Sequence, residues 1–285
     1  MIAPEKLLAL RIPEVRQSYT IRDTILYALG LGAGLDPKEG ATLDYLLEDR
    51  VRALPMMACV LGNPGFWARD LETGLDALRL LHGEQRITLH GPLAPAGDVL
   101  GRTRVTAVID KGADRGALVI SERELIDLDT DSPIATITQT AFCRGDGGQG
   151  GTQVKAPAPH VVPTRAPDHV VDLETTAQTA LIYRLSGDLN PIHSDPDVAR
   201  RAGFAGPILH GLATYGIAGR ALIAAVCGGD ETRLRALDAR FSSPVFPGET
   251  LRCEIWRDDA IASFRVHVPA RDVIAIDNGR AEIVA

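Results

Sequence analysis

One stretch near the middle of the chain limits what it can fold into. Arg144 to Asp168 places Gly145, Gly147, Gly148, Gly150 and Gly151 ahead of Pro157, Pro159, Pro163 and Pro167. Glycine is costly to order and proline offers no N–H to a helix or a strand ladder, so the stretch reads as a linker. It cuts the 285 residues nearly in half, and the two halves match. Pro92-Leu93-Ala94-Pro95-Ala96-Gly97 in the first answers Pro244-Val245-Phe246-Pro247-Gly248 in the second, and Tyr27-Ala28-Leu29 answers Tyr183-Arg184-Leu185. Matches in the same order at nearly the same offset mark an internal duplication.

Each copy opens on helical sequence and continues into strands. β-Rich runs cover Arg104 to Ile109, Ala117 to Ile120 and Ile134 to Phe142, and again Leu251 to Trp256, Ala262 to Val268 and Val273 to Ile276. Leu212 to Val226 is apolar on nearly every face, as in a helix buried on most sides. Pro207 and His210-Gly211 precede it and Gly228-Gly229 end it. A strongly curved antiparallel sheet wrapped around such a helix would bury it. Pro55 to Leu61 is the weaker counterpart in the first half, with Pro55 suited to a first helical turn. The expected class is α+β, with repeats at 1–143 and 169–285 joined by a linker at 144–168.

Composition narrows the function classes. Apolar residues make up 45% of the chain, enough for a large core. Lys+Arg number 30 against Asp+Glu 37, so there is no field to gather a polyanion and nucleic acid is not an expected partner. Cys59, Cys143, Cys227 and Cys253 lie far apart without a C-x-x-C, which suggests neither a disulfide framework nor a zinc site and makes a reducing cytoplasm the expectation. Glu5, Lys6, Arg11, Glu14 and Arg16 interrupt any signal peptide, and the final Ile283-Val284-Ala285 carries no lipidation or peroxisomal signal. Leu212 to Cys227 contains Arg220 and falls short of the ~20 residues that cross a bilayer, so no membrane association is expected.

The densest polar cluster is Tyr183-Arg184-Leu185-Ser186-Gly187-Asp188-Leu189-Asn190-Pro191-Ile192-His193. Asp188 and His193 are a carboxylate and an imidazole with Gly187, Asn190 and Pro191 forcing turns around them. Such a bend can aim both side chains at one point. Acid–base work on one water needs that convergence and a group that titrates near neutrality. The plainer reading is an Asx turn at Asp188 and a surface histidine. The neighbourhood favours chemistry, because Gly206-Pro207-Ile208-Leu209-His210-Gly211-Leu212-Ala213-Thr214 leads to the N-terminus of the buried helix. Unpaired N–H groups and the positive dipole end there can hold an oxyanion. Gly211 has no side chain to block a carbonyl from its N–H, although alone it would read as a helix-entry turn.

The run Tyr183 to His193, followed by Phe204-Ala205-Gly206-Pro207-Ile208-Leu209-His210-Gly211-Leu212-Ala213-Thr214, resembles the signature of MaoC-like dehydratases and (R)-specific 2-enoyl-CoA hydratases, the hydratase 2 group. Its core, G-D-x-N-P-[LIV]-H, stands complete as Gly187-Asp188-Leu189-Asn190-Pro191-Ile192-His193. The segment Tyr19 to Ala33 and the run Leu81-His82-Gly83-Glu84-Gln85 are similar to the N-terminal repeat of two-repeat members, so the resemblance spans nearly the whole chain. It implies a double hot dog fold, each repeat a sheet wrapped around a central helix. It also implies that Asp188 and His193 position and activate a water, that Asn190 supports them, and that the Gly211 N–H receives the thioester oxygen. The implied reaction is reversible hydration of trans-2-enoyl-CoA to (3R)-hydroxyacyl-CoA, with acyl-CoA as partner and no metal or redox cofactor. A cytoplasmic homodimer is the expected assembly.

Arg184, Gly187, His210 and Arg220 form the expected substrate-binding set, and Arg200, Arg201 and Arg220 are candidates for the CoA phosphates. Each also reads as an ordinary surface arginine. With Asp188 and His193, His210 would make a three-ligand metal set, but no regular ligand spacing supports one, and a role at the helix entry is expected. Tyr183 and Tyr215 read as packing residues, Met56-Met57 as core, and His82-Gly83 as a superficial echo of His210-Gly211. Placing Tyr27 on Tyr183 sets Gly32 and Pro37 opposite Asp188 and His193. Neither does acid–base work, so the first half is expected to be non-catalytic and to accommodate the acyl chain. Two alternatives stay open. One is a hot dog acyl-CoA thioesterase, against which the complete D-x-N-P-x-H run argues. The other is a non-catalytic acyl-CoA binding subunit, expected to have lost Asp188 or His193.

Overall fold

The computed structural model describes residues 3–36, 38 and 40–284. Before the linker come β1 (Val15–Tyr19), β2 (Leu80–Leu89), β3 (Gly97–Asp110), β4 (Ala117–Asp127) and β5 (Ser132–Cys143). After it come β6 (His169–Glu174), β7 (Leu234–Phe241), β8 (Thr250–Asp258), β9 (Ile261–Val268) and β10 (Val273–Ile283). All ten form one antiparallel sheet in the order β1-β3-β4-β5-β2-β7-β10-β9-β8-β6. Exchanging each strand for its counterpart in the other half leaves that order unchanged from either edge. This palindrome is the mark of two copies joined edge to edge about a local twofold, with β2 and β7 as the join. The pairing hides one strand edge from each copy.

The α-helices are α1 (Pro4–Leu8), α2 (Ile21–Gly30), α3 (Trp67–Asp70), α4 (Thr179–Tyr183), α5 (Pro196–Arg201) and α6 (Gly211–Val226). Helix α6 lies against β6 to β10 and is buried from Ala213 through Ile223, as its all-round apolar sequence requires. This is the expected double hot dog architecture, with the sheet curved around the helix. Small residues on α6 admit the first half: a Cβ at Gly216 would lie 2.7 Å from the Leu31 methyls, and one at Gly219 would lie 2.6 Å from the Met56 sulfur. The repeated tyrosines meet where α2 packs on α4, with Tyr27 and Tyr183 ring centroids 5.8 Å apart.

The first-half helix is shorter than expected. Pro55–Cys59 forms one 3₁₀ segment in place of a helix reaching Leu61. Gly62 stops it, at φ +58°, by turning the chain onto β3, where a Cβ on Gly101 would sit 2.0 Å from the Gly62 carbonyl oxygen. The buried Arg123 of β4 donates to the Ala58 and Cys59 carbonyls and occupies the next turn's place. Met56 and Met57 are fully packed core. The linker is pinned to both halves. Thr152 N–H donates to the Val108 carbonyl (2.7 Å), Gly148 and Gly150 N–H to the Asp110 carboxylate (2.8 Å each), and Asn278 to the His160 carbonyl (2.7 Å). Among the described residues, no helix is long and apolar enough to cross a membrane.

The tight contact at Gly101 yields a test. Gly101→Ala should destabilise the fold by about 1–3 kcal/mol, because backbone rather than a flexible side chain must yield. Denaturant unfolding measures the change, and an unaltered midpoint would contradict this account of how the 55–62 segment is seated.

Candidate active site

The loop between α4 and α5 carries the polar cluster. Gly187 takes φ +123°, a conformation that side chains rarely adopt, and starts the turn. The Asp188 carboxylate accepts the Asn190 N–H (3.1 Å), and the Asn190 side chain accepts the Ile192 N–H (3.2 Å). The Asx turn of the plain sequence reading therefore exists, and it sets the shape of the loop that holds both Asp188 and His193. Residues 191–193 form a single 3₁₀ turn that drives His193 inward while Asp188 stays half exposed.

The His193 Nδ1–H donates to the Ile208 carbonyl at 2.8 Å. Its Nε2 is thereby free of the proton and stands 3.9 Å from the Asp188 Oδ2. That gap is too long for a direct hydrogen bond and short enough for one water to touch both. Burial holds the His193 pKa below the ordinary histidine value, so the ring is neutral, as a general base must be.

The same strip of chain that receives His193 opens α6. Ala213 and Thr214 N–H make the helix's first bonds, both to the His210 carbonyl. The Gly211 N–H precedes them and lies outside the helical ladder. A Cβ on Gly211 would lie 3.3 Å from the Phe241 ring, so the bare glycine backbone and one aromatic edge enclose that spot. The helix dipole adds positive potential there.

His210 lies under the pair. It is 1% exposed, stacks on His193 with ring centroids 3.7 Å apart and 26° between planes, and donates from Nε2 to the Asp188 carbonyl at 3.1 Å. Burial first, then repulsion between the charged forms of the two stacked rings, pushes its pKa down to about 4. One ligand atom from each of Asp188, His193 and His210 falls within 4.8 Å of the others. Two nearly parallel stacked imidazoles set their in-plane lone pairs side by side instead of converging, which is a poor fit to a tetrahedral ion.

The other expected residues divide. Arg184 is half buried close enough to act electrostatically on His210. Arg200 and Arg201 are exposed at the end of α5, with Arg200 paired to Asp197. Arg220, also in the expected binding set, is 8% exposed, and its guanidinium donates to the Leu31 carbonyl at 2.5 Å, inside the junction of the halves. The apolar helix carries it inward. Gly32 sits at φ +79° beside Arg220, with no acid–base group of its own, and Pro37 lies outside the described residues.

Sequence reasoning set His82 aside as a superficial echo of His210. Its ring, from β2 in the first half, stands edge-on to Phe241 at 4.8 Å, and its buried Nε2 has no hydrogen-bond partner among the described residues. Burial lowers its pKa to about 4. The Leu81 to Gln85 resemblance was the available signal, but nothing in a linear reading shows that β2 runs along β7 and brings the two rings together.

Buried neutral histidines, His82 and His210 among them, make the fold acid-sensitive. In the unfolded chain each titrates near 6.5, whereas folded His82 and His210 stay neutral to about 4. Between those values the unfolded state binds more protons, so stability should fall on acidification through that window, by at most about 1.4 kcal/mol per pH unit for each ring. Urea midpoints taken from pH 7.5 down to 4.5 measure the slope. His82→Gln should flatten it, and an unchanged slope would refute the assignment.

Comparison with known proteins places these features. Residues 160–278 match the MaoC like domain family, and residues 17–145 match the MFE-2 hydratase 2 N-terminal domain family. The chain is 43% identical over 273 residues to 3-hydroxyacyl-thioester dehydratase Y of Mycobacterium tuberculosis, covering 94% of this chain and 93% of that protein. It is 34% identical to the peroxisomal enoyl-CoA hydratase 2 of Arabidopsis thaliana, over 93% of this chain and 91% of that one. Among solved structures, a MaoC-like dehydratase from Phytophthora capsici superposes with a TM-score of 0.88 at 32% identity, covering 99% of both chains.

Proposed function

From the premise that this chain belongs to the MaoC-like hydratase 2 family and is a hydro-lyase, we propose that it hydrates trans-2-enoyl-CoA reversibly to (3R)-hydroxyacyl-CoA at Asp188, His193 and Gly211. The observation that carries the reading is the 3.9 Å gap between the Asp188 carboxylate and the unprotonated His193 Nε2, beside a free helix N-terminus. A water held in that gap gives a proton to the pair as its oxygen bonds to the β-carbon. The α-carbon then takes a proton from the pair, so that H and OH add across the double bond and nothing else is consumed. Between these events negative charge collects on the thioester oxygen, and the Gly211 N–H with the α6 dipole stabilises it by about 3 kcal/mol, the scale for one such donor. Asn190 acts through the turn that sets Asp188. The steps run backwards as dehydration.

The first half, where a five-residue 3₁₀ segment stands in place of a sixteen-residue helix, is assigned to accommodating the acyl chain. Arg184, Arg200 and Arg201 are the arginines left to meet the CoA end, with Gly187 bordering the water site. We assign a homodimer in a reducing compartment, the cytoplasm, in keeping with four buried free thiols.

Crotonyl-CoA and a longer enoyl-CoA test the reading. Enoyl absorbance should fall without release of thiol, and chiral separation should return the 3R product. Thiol release would make the protein a thioesterase; no change with any substrate would make it a binding subunit. Asp188→Asn and His193→Gln should each lower kcat by roughly 10²–10⁴-fold. Turnover kept in Asp188→Ala yet lost on substituting Gly32 would move the site to the other half.

A further inference from the structure

We infer that His210 is the positioning residue of the site, holding Asp188 through its main chain and His193 through its ring face, and that it does not bind substrate. This rests on the hydratase reading above.

The two grips are separate. The first is the bond from the His210 Nε2–H to the Asp188 carbonyl, 3.1 Å long. Bonds within the loop, from Asn190 and Ile192 N–H, fix its shape, whereas the His210 bond ties the loop to the start of α6. A donor at Nε2 leaves Nδ1 bare, and that nitrogen is buried with no partner among the described residues. The second grip is the stack at 3.7 Å. His193 has its Nδ1–H committed to the Ile208 carbonyl and one ring face covered by His210, so its rotation is blocked and Nε2 stays aimed at the Asp188 carboxylate. Behind His210 the row continues, with Tyr183 at 5.0 Å and Tyr27 of the first half at 5.8 Å from Tyr183. Four rings thus run from the core of one half to the water site of the other.

The ring also sets the protonation of its neighbour. The groups facing the two imidazoles are the Asp188 carboxylate, which favours their charged forms, and Arg184, which opposes charge on His210. His82, on β2 across the site, is itself neutral. Burial outweighs these for His193, and the His210 ring supplies part of that burial by filling one face.

Two variants separate the grips. His210→Phe keeps a ring and loses the donor; His210→Gln keeps a donor and loses the ring. For full-length protein with crotonyl-CoA, His210→Phe should lower kcat about tenfold to a hundredfold, the scale for a reacting group displaced by ~1 Å, with KM changed less than about threefold and the acid limb of the kcat profile in place. His210→Gln should move that acid limb to higher pH, because water then reaches His193. Wild-type kcat and acid limb in both variants would overturn the inference, as would a loss confined to KM, which would make His210 a substrate-binding residue. A readout without variants is ¹⁵N NMR of the histidine rings in the unaltered protein. It should show His210 neutral with its proton on Nε2, and a proton on Nδ1 or a His210 that titrates before His193 would also overturn it. Absence of hydratase turnover in the unaltered protein sinks the underlying reading, whereas these tautomers test His210 alone.

Discussion

The antiparallel pairing of β2 with β7 is the joint on which the rest depends. Ile87 lies opposite Leu237 on the buried face, both excluded from solvent, while Glu84 lies opposite Arg240 and Arg86 opposite Asp238 on the outer one. The Arg240 guanidinium reaches the Glu84 carboxylate at 2.7 Å. Hydrophobic contact supplies the adhesion of this joint. The alternating charges fix its register, since a slip of one residue would turn every inward side chain to the outside. With the joint made, α6 of one half receives Leu31 and Met56 of the other into its glycine notches, and Arg220 closes the gap with a charged donor on a backbone carbonyl. A hydrogen bond of that kind is worth about 1.5–3 kcal/mol.

The candidate site lies beside this joint. Phe241 at the end of β7 touches the Gly211 corner, and His82 near the start of β2 touches Phe241. The Gly211 corner therefore has a wall built from both copies, although Asp188 and His193 come from one.

Much of this was legible in the sequence, and the limits are instructive. The duplication, the buried helix and the polar loop all rest on local patterns: repeated turns, continuous apolar character, and glycine and proline at bends. The strands β3, β4, β5, β8, β9 and β10 were seen in part because their alternation is strong, and they run longer than their most regular stretches. Strands β1, β6 and β7 were not anticipated, and of β2 only the strand-like residues after Gly83 were. β6 alternates only between exposed and half-buried positions at the sheet edge, and β2 is interrupted by an irregularity between His82 and Glu84. The bond from Arg220 to a carbonyl 189 residues away in sequence was beyond a linear reading, which shows only a charge in an apolar helix. His210 and His193 lie close in sequence, yet their stack depends on Ile208 N–H bonding to the Ile192 carbonyl, which folds one strip of chain over another.

The palindromic strand order bears on how such a molecule can change. In a dimer of identical chains every substitution is made twice, so a residue unsuited to one side of the twofold is imposed on the other as well. A covalent tether across the sheet lifts that coupling. Gly32 can stand where the other copy has Asp188, and a notch of glycines can persist on α6 without a matching notch opposite. The symmetry of the backbone is thus kept by the strand pairing, while the side chains on its two sides are free to diverge one position at a time.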